Sequence, residues 1–151
     1  MSTASPTRAR RRPATRLVVA FLGLALLTAA SAACNKEQRP FEAFFYVNQE
    51  RTDHRLPVLR WDDELAAKAQ AWANHLADAG SLSHSVLTDG ISAGWNRLGE
   101  NVGSGGDVHG VHDGFMNSST HRSAILGNFE RAGMGVVERG GKVWVVQVFE
   151  A

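Results

Sequence analysis

Apolar residues recur at helical spacing in three stretches of the chain and at strand spacing near its C-terminus. In the first stretch Phe41, Phe44, Phe45 and Val47 share one face, which predicts a helix over Pro40–Asp53. Pro40 suits its first turn, where the missing N–H would be unpaired in any case. Asn48 and Arg51 continue the face begun by Phe44, so both are expected in a half-buried polar network that fixes the following segment, Arg55-Leu-Pro-Val-Leu59. The second stretch, Asp62–Ala79, has an N-capping aspartate, acidic residues in its first turn and Gly80 placed to end it. Leu65, Ala69, Trp72 and Leu76 form its stripe, with Ala66, Ala73 and Ala77 alongside. So many alanines imply close approach to a neighbouring layer. The third helix, Val108–Asn117, turns Val108, Val111, His112 and Phe115 inward behind an Asp107 cap, with Gly110 and Gly114 expected to permit tight packing. A short helical turn follows over Thr120–Leu126.

The C-terminal pattern changes to period two. Met134–Arg139 and Lys142–Phe149 flank Gly140-Gly141, a two-residue hairpin signature. In the second strand Val143, Val145 and Phe149 point one way, and Trp144, Val146 and Val148 the other. Both faces are apolar, so the strand must be covered on both sides. Helices on each side of a small antiparallel sheet predict a three-layer α-β-α sandwich of the α/β (α+β) class.

The first 33 residues stand apart from this pattern. Five arginines, Arg8 to Arg16, precede the apolar run Leu17–Leu27 and the small residues Thr28–Ala33, which is the layout of a signal peptide. The predicted organisation is a leader over 1–33, a linker over 34–39 and one domain over 40–151. Export follows, to the cell envelope or the medium. Cys34, the only cysteine, sits where a bacterial lipoprotein carries its lipidated residue, although Ser31 stands where such signals usually carry an aliphatic residue. One cysteine allows no intramolecular disulfide. Membrane attachment is expected only through the leader or a lipid on Cys34.

Charge narrows the partners. Five of the 16 basic residues and none of the 15 acidic ones precede Cys34, leaving 11 basic against 15 acidic, a net −4. An acidic domain without a basic cluster argues against nucleic acid as a partner.

The candidate chemistry lies mostly in Ser81–Asp107, which reads as a long glycine-rich loop held to the core by Ile91 and Trp95. His84 and Glu100 fall in it, and His121 begins the short helical turn. Two imidazoles and a carboxylate are a ligand set for Zn2+ or another divalent cation, with a position left open for water. Plain structural roles fit the same residues: His121 capping its turn, Glu100 accepting backbone N–H groups. The chain has no Gly-x-Ser-x-Gly elbow, no His-Glu-x-x-His pair and no phosphate-loop signature.

Six motifs in order carry a resemblance. They are Asn48-x-x-Arg51, Leu59-x-Trp-Asp62-x-x-Leu65-x-x-x-Ala69, Gly80-x-Leu-x-His84-Ser, Gly99-Glu-Asn-Val102, Phe115-Met-x-Ser118-x-x-His121-Arg-x-x-Ile-Leu126 and Gly133-x-Gly135-Val. Together they resemble the bacterial branch of the CAP superfamily (cysteine-rich secretory proteins, antigen 5, pathogenesis-related 1 proteins), whose module is the SCP domain. The resemblance implies an α-β-α sandwich with a cleft holding two histidines and two acidic residues, where several members bind a divalent ion. His84 and His121 match the histidines and Glu100 one acid; Ser118 stands where the second glutamate usually lies. Asn101, Ser118, His112 and Trp95 are then expected at the cleft rim. The implied function is an exported, non-catalytic module for an envelope or extracellular ligand. Two other readings stay open. One is a metal-assisted protease or cell-wall hydrolase with Glu100 as catalytic general base, and the other is a lipid- or sterol-binding protein.

Overall fold

The structure is a computed structural model that describes residues 38–151. The leader, Cys34 and most of the 34–39 linker lie outside the described residues. Its last two positions, Gln38 and Arg39, are already helical, so the first helix (α1, 38–53) takes in the end of the expected linker.

The remaining elements are β1 (Arg60–Trp61), α2 (Asp63–Ala79), β2 (Leu98–Gly105), α3 (Val108–Asn117), α4 (Ser119–Ile125), β3 (Arg131–Arg139) and β4 (Lys142–Glu150). The sheet order is β1-β3-β4-β2. β4 pairs antiparallel with both neighbours, whereas the two-residue β1 runs parallel to β3. Gly140 and Gly141 both take positive φ, 62° and 72°, as a tight hairpin turn demands.

The two faces of β4 separate the core as its sequence predicts. Val143, Val145 and Phe149 pack with α1, α3 and α4 residues such as Val47, Phe115 and Ile125. Trp144, Val146 and Val148 pack with Leu65, Ala69, Ala73 and Leu76 of α2. The α-β-α sandwich follows directly.

The alanine face of α2 rests on two glycines of β3. A Cβ on Gly133 would overlap the backbone nitrogen of Ala66, and one on Gly135 the backbone of Ala69. Asp62 caps α2 through the N–H groups of Glu64 and Leu65, 3.0 Å each, and pairs with Arg131 at 2.9 Å. Gly110 and Gly114 behave differently from expectation. A Cβ on Gly114 would meet nothing within 4 Å, and one on Gly110 only the Asp107 carboxylate, so neither marks a tight helix contact.

Part of the expected loop, Leu98–Gly105, is the edge strand β2. Its glycines hid it, and packing explains them: a Cβ on Gly103 would stand 2.7 Å from the Phe115 ring, and one on Gly99 2.9 Å from Phe129. Strand propensity yields here to the need for flat backbone beneath aromatic rings.

Candidate functional site

Successive residues of a strand face opposite ways, and β2 uses this to build two halves of a site. Glu100 shares the side of Val102, which packs toward α2, while Asn101 shares the side of Gly103, which lies under Phe115.

On the first side, the Glu100 carboxylate is almost wholly buried, its side chain 1% exposed, and accepts three hydrogen bonds. These come from His84 Nδ1 at 2.8 Å, the Ser85 N–H at 2.9 Å and Ser85 Oγ at 2.6 Å, the last on the second oxygen. An ionised carboxylate only accepts, so the 2.8 Å contact places the histidine proton on Nδ1. The Nε2 lone pair then faces outward from a ring that is 62% exposed. Ser85 is a functional neighbour to which the sequence reading gives no role. Its only signal is its place directly after His84.

α2 fixes the loop that carries this pair. Lys68 Nζ donates to the carbonyls of Val86 and Asp89 at 2.7 and 2.8 Å, and Trp72 Nε1 donates to that of Ser83 at 2.9 Å. Glu64 accepts the Ser92 N–H and hydroxyl, which hold its carboxyl below the ordinary range. Ile91 packs on the α2 core, as expected.

On the second side, Asn101 is buried and donates from Nδ2 to the His121 carbonyl at 3.1 Å and to Gln147 Oε1 at 3.0 Å. It supports α4 from beneath and does not form a rim. The His121 ring packs 5.1 Å from that of Phe115. His121 and Ser118 line a groove of about 280 Å³ whose apolar wall is Leu82, Val102, Val111 and Phe115, closed by Gly114. Leu82 lies two residues before His84 in the chain, while neither His84 nor Glu100 lines the groove. Trp95 is half-buried in the 81–97 loop.

α4 is also held from its far end. Arg51 of α1 is buried and donates to four carbonyls: Pro57 at 2.8 Å, Ile125 at 2.9 Å, Gly127 at 2.8 Å and Phe129 at 3.4 Å. Burial pulls its pKa below that of a free guanidinium. Asn48 exchanges two hydrogen bonds with the Leu59 backbone. The expected polar network around residues 55–59 is therefore present, and it reaches further than expected, into α4 and the approach to β3.

His112 lies away from the groove. It is buried between α3 and α1, 5.5 Å from the Tyr46 ring, with Nε2 3.7 Å from Glu50 Oε1. That distance is too long for a hydrogen bond, and neither ring nitrogen has such a partner among the described residues. Desolvation lowers its pKa, and the nearby Glu50 charge opposes this without overcoming it. The unfolded chain therefore binds this proton more readily than the folded one. Stability from His112 is present above its ordinary value of about 6.5 and is lost as pH falls below it. Thermal unfolding should show a drop in stability from pH 7 to pH 5 that is smaller in His112→Phe. Equal pH slopes in the two proteins would contradict this.

Among the described residues no three His, Cys, Asp or Glu side chains stand close enough to share a metal ion. His84 and Glu100 meet, but both carboxylate oxygens are already engaged. This arrangement does not fit Glu100 as a metal ligand.

The described residues form a sandwich with a groove, lined in part by His121, against the edge strand of its sheet. The chain belongs to the CAP, or cysteine-rich secretory protein, family, whose sequence profile matches residues 44–149. Similar solved structures include an extracellular SCP-domain protein from Bacillus anthracis, 26% identical with a TM-score of 0.67, over 76% of this chain and 41% of that one. An outer surface protein of Borrelia burgdorferi is 19% identical with a TM-score of 0.65, over 71% of this chain and 87% of that one. A cysteine-rich secretory protein of Staphylococcus aureus is 17% identical with a TM-score of 0.55, over 97% and 44%. The chain thus spans less than half the length of the Bacillus and Staphylococcus proteins, and the likeness to the Borrelia and Staphylococcus structures is one of fold. No curated protein sequence matches.

Proposed function

We propose that this chain is an exported CAP-domain module that binds an envelope or extracellular ligand in the groove between Leu82 and His121, without turning it over. The observation that carries this is the engagement of Glu100. A general base must offer a free lone pair to the proton it removes. Here Ser85 and His84 take three of the carboxylate's roughly four acceptor positions, and the side chain is almost wholly buried, which leaves no lone pair open to a solvent-borne substrate. Its role is to hold the His84 ring, while the apolar wall and His121 supply a surface suited to a ligand with apolar and hydrogen-bonding groups. Export is supported by the leader sequence and by the extracellular and outer-surface descriptions of the Bacillus and Borrelia relatives. A divalent ion would meet His84 at Nε2 with Glu100 behind the ring, and no binding step is assigned to it.

Gly114 offers a clean test, because it lines the groove and has open space around its Cβ position. Ligand-observed NMR with a panel of small amphiphilic fragments should detect binding to the wild type that Gly114→Leu lowers at least about tenfold without loss of stability. Hydrolysis of peptide or cell-wall substrates that Glu100→Gln abolishes would overturn the non-catalytic reading.

A further inference from the structure

α1 presents two phenylalanines to solvent. Phe41 is 55% and Phe45 60% exposed, one helical turn apart on the same face. Phe41 lies 4.4 Å from the Trp61 ring, which Phe44 braces edge-on at 5.2 Å. Trp61 directs Nε1 to Asp63 at 2.8 Å, so the patch is apolar in its centre and polar at its border. Two adjacent exposed Phe rings on a small domain call for a partner.

The chain outside the described residues says which. Cys34 precedes helical residue 38 by four residues, a reach of at most about 14 Å. An anchor at Cys34 therefore keeps the start of α1 within that reach of the bilayer, with Phe41 less than one helical turn further on. We infer that Phe41 and Phe45, with Trp61, dock α1 onto the bilayer that holds the N-terminal anchor, and so fix how the groove is presented. The inference rests on the export reading with the anchor at Cys34.

Charge favours an apolar contact over an electrostatic one. Arg39 is paired with Glu138 at 2.6 Å, Arg60 lies 3.7 Å from Glu130, and the chain from Cys34 on carries a net −4. Two rings alone bind a bilayer weakly, but a short tether raises their effective concentration to the millimolar range, where weak contact suffices. Docking should therefore need no anionic lipid and resist salt.

The test uses the full chain, produced in a bacterial host and reconstituted into phosphatidylcholine vesicles with brominated acyl chains, which quench nearby indoles. All four tryptophans lie within the described domain, with Trp72 and Trp144 on the α2 side of the sheet. Wild-type emission should fall relative to unbrominated vesicles, equally at low and high salt. Trp61→Phe should remove that fall. Phe41→Ser/Phe45→Ser should remove most of it while the chain stays with the vesicles, and single Phe45→Ser serves if the double variant unfolds. A vesicle-bound wild type with unchanged emission overturns the docking alone. A chain recovered only in the soluble fraction of the producing cells overturns the anchor reading and the docking with it. A dimer of the detergent-solubilised chain that the double serine variant abolishes assigns the patch to a second copy and also overturns it.

Discussion

Replacing Gly135 by alanine is expected to cost at least about 3 kcal/mol, a large share of the roughly 5–15 kcal/mol that holds a domain folded. The added methyl would fall on the backbone of Ala69, so no rotamer change relieves it. α2 would have to lift off β3, and with it the inner core of Leu65, Ala69, Val146 and Val148. The loop pinned by Lys68 and Trp72 would move too, taking His84 and Ser85 away from Glu100. Urea unfolding provides the measurement, with Gly114→Ala as its control. Gly114 is helical and unobstructed, so alanine there should stabilise by about 0.5–1 kcal/mol. A Gly135→Ala protein as stable as wild type would mean that the helix and strand do not touch as described.

Arg51→Met is expected to lose about 3–5 kcal/mol, with a melting temperature lower by on the order of 10–20 °C. The substitution keeps apolar bulk but removes the guanidinium donors from four carbonyls that converge on it, of which Gly127 O keeps the Phe129 N–H. Burying unpaired acceptors costs more than the bonds themselves contribute. Arg51→Lys should recover only part of the loss, because a point charge cannot reproduce donors on three nitrogens. The loss should also register at the groove, since Ile125 ends the helix that carries His121. Calorimetric melting of the three proteins checks the order, and a lysine variant equal to wild type would contradict it.

Periodicity is a local signal, and the elements it reveals are those whose stripes are continuous. α1, α2, α3 and the hairpin carry apolar residues at regular spacing, and the split faces of β4 are enough to imply helices on both sides. β2 lacks that signal because Gly99, Gly103 and Gly105 replace side chains on the face beneath α3 and Phe129. Its partner β4 lies some forty residues away, as the pairing of Gly103 with Val145 shows. β1 is too short to leave a pattern. At the site, the motifs mark His84, Glu100 and His121, but spacing does not say which way each turns. The alternation along β2 sends Glu100 toward the His84 loop and Asn101 toward the His121 carbonyl, and that contrast depends on a strand the sequence conceals. His112 faces inward as its helical position predicts. Its neighbours Tyr46 and Glu50, however, come from a helix more than sixty residues earlier, beyond the reach of any local pattern.

The central claim is that Glu100 is committed to Ser85 and His84 and is not free to act as a base or ligand. Long-range 15N–1H NMR of the histidine rings, recorded above the His titration range, tests it most directly. His84 is expected almost entirely as the Nδ1–H tautomer in the wild type and as a tautomer mixture in Glu100→Ala. A wild-type His84 protonated on Nε2 would contradict the account.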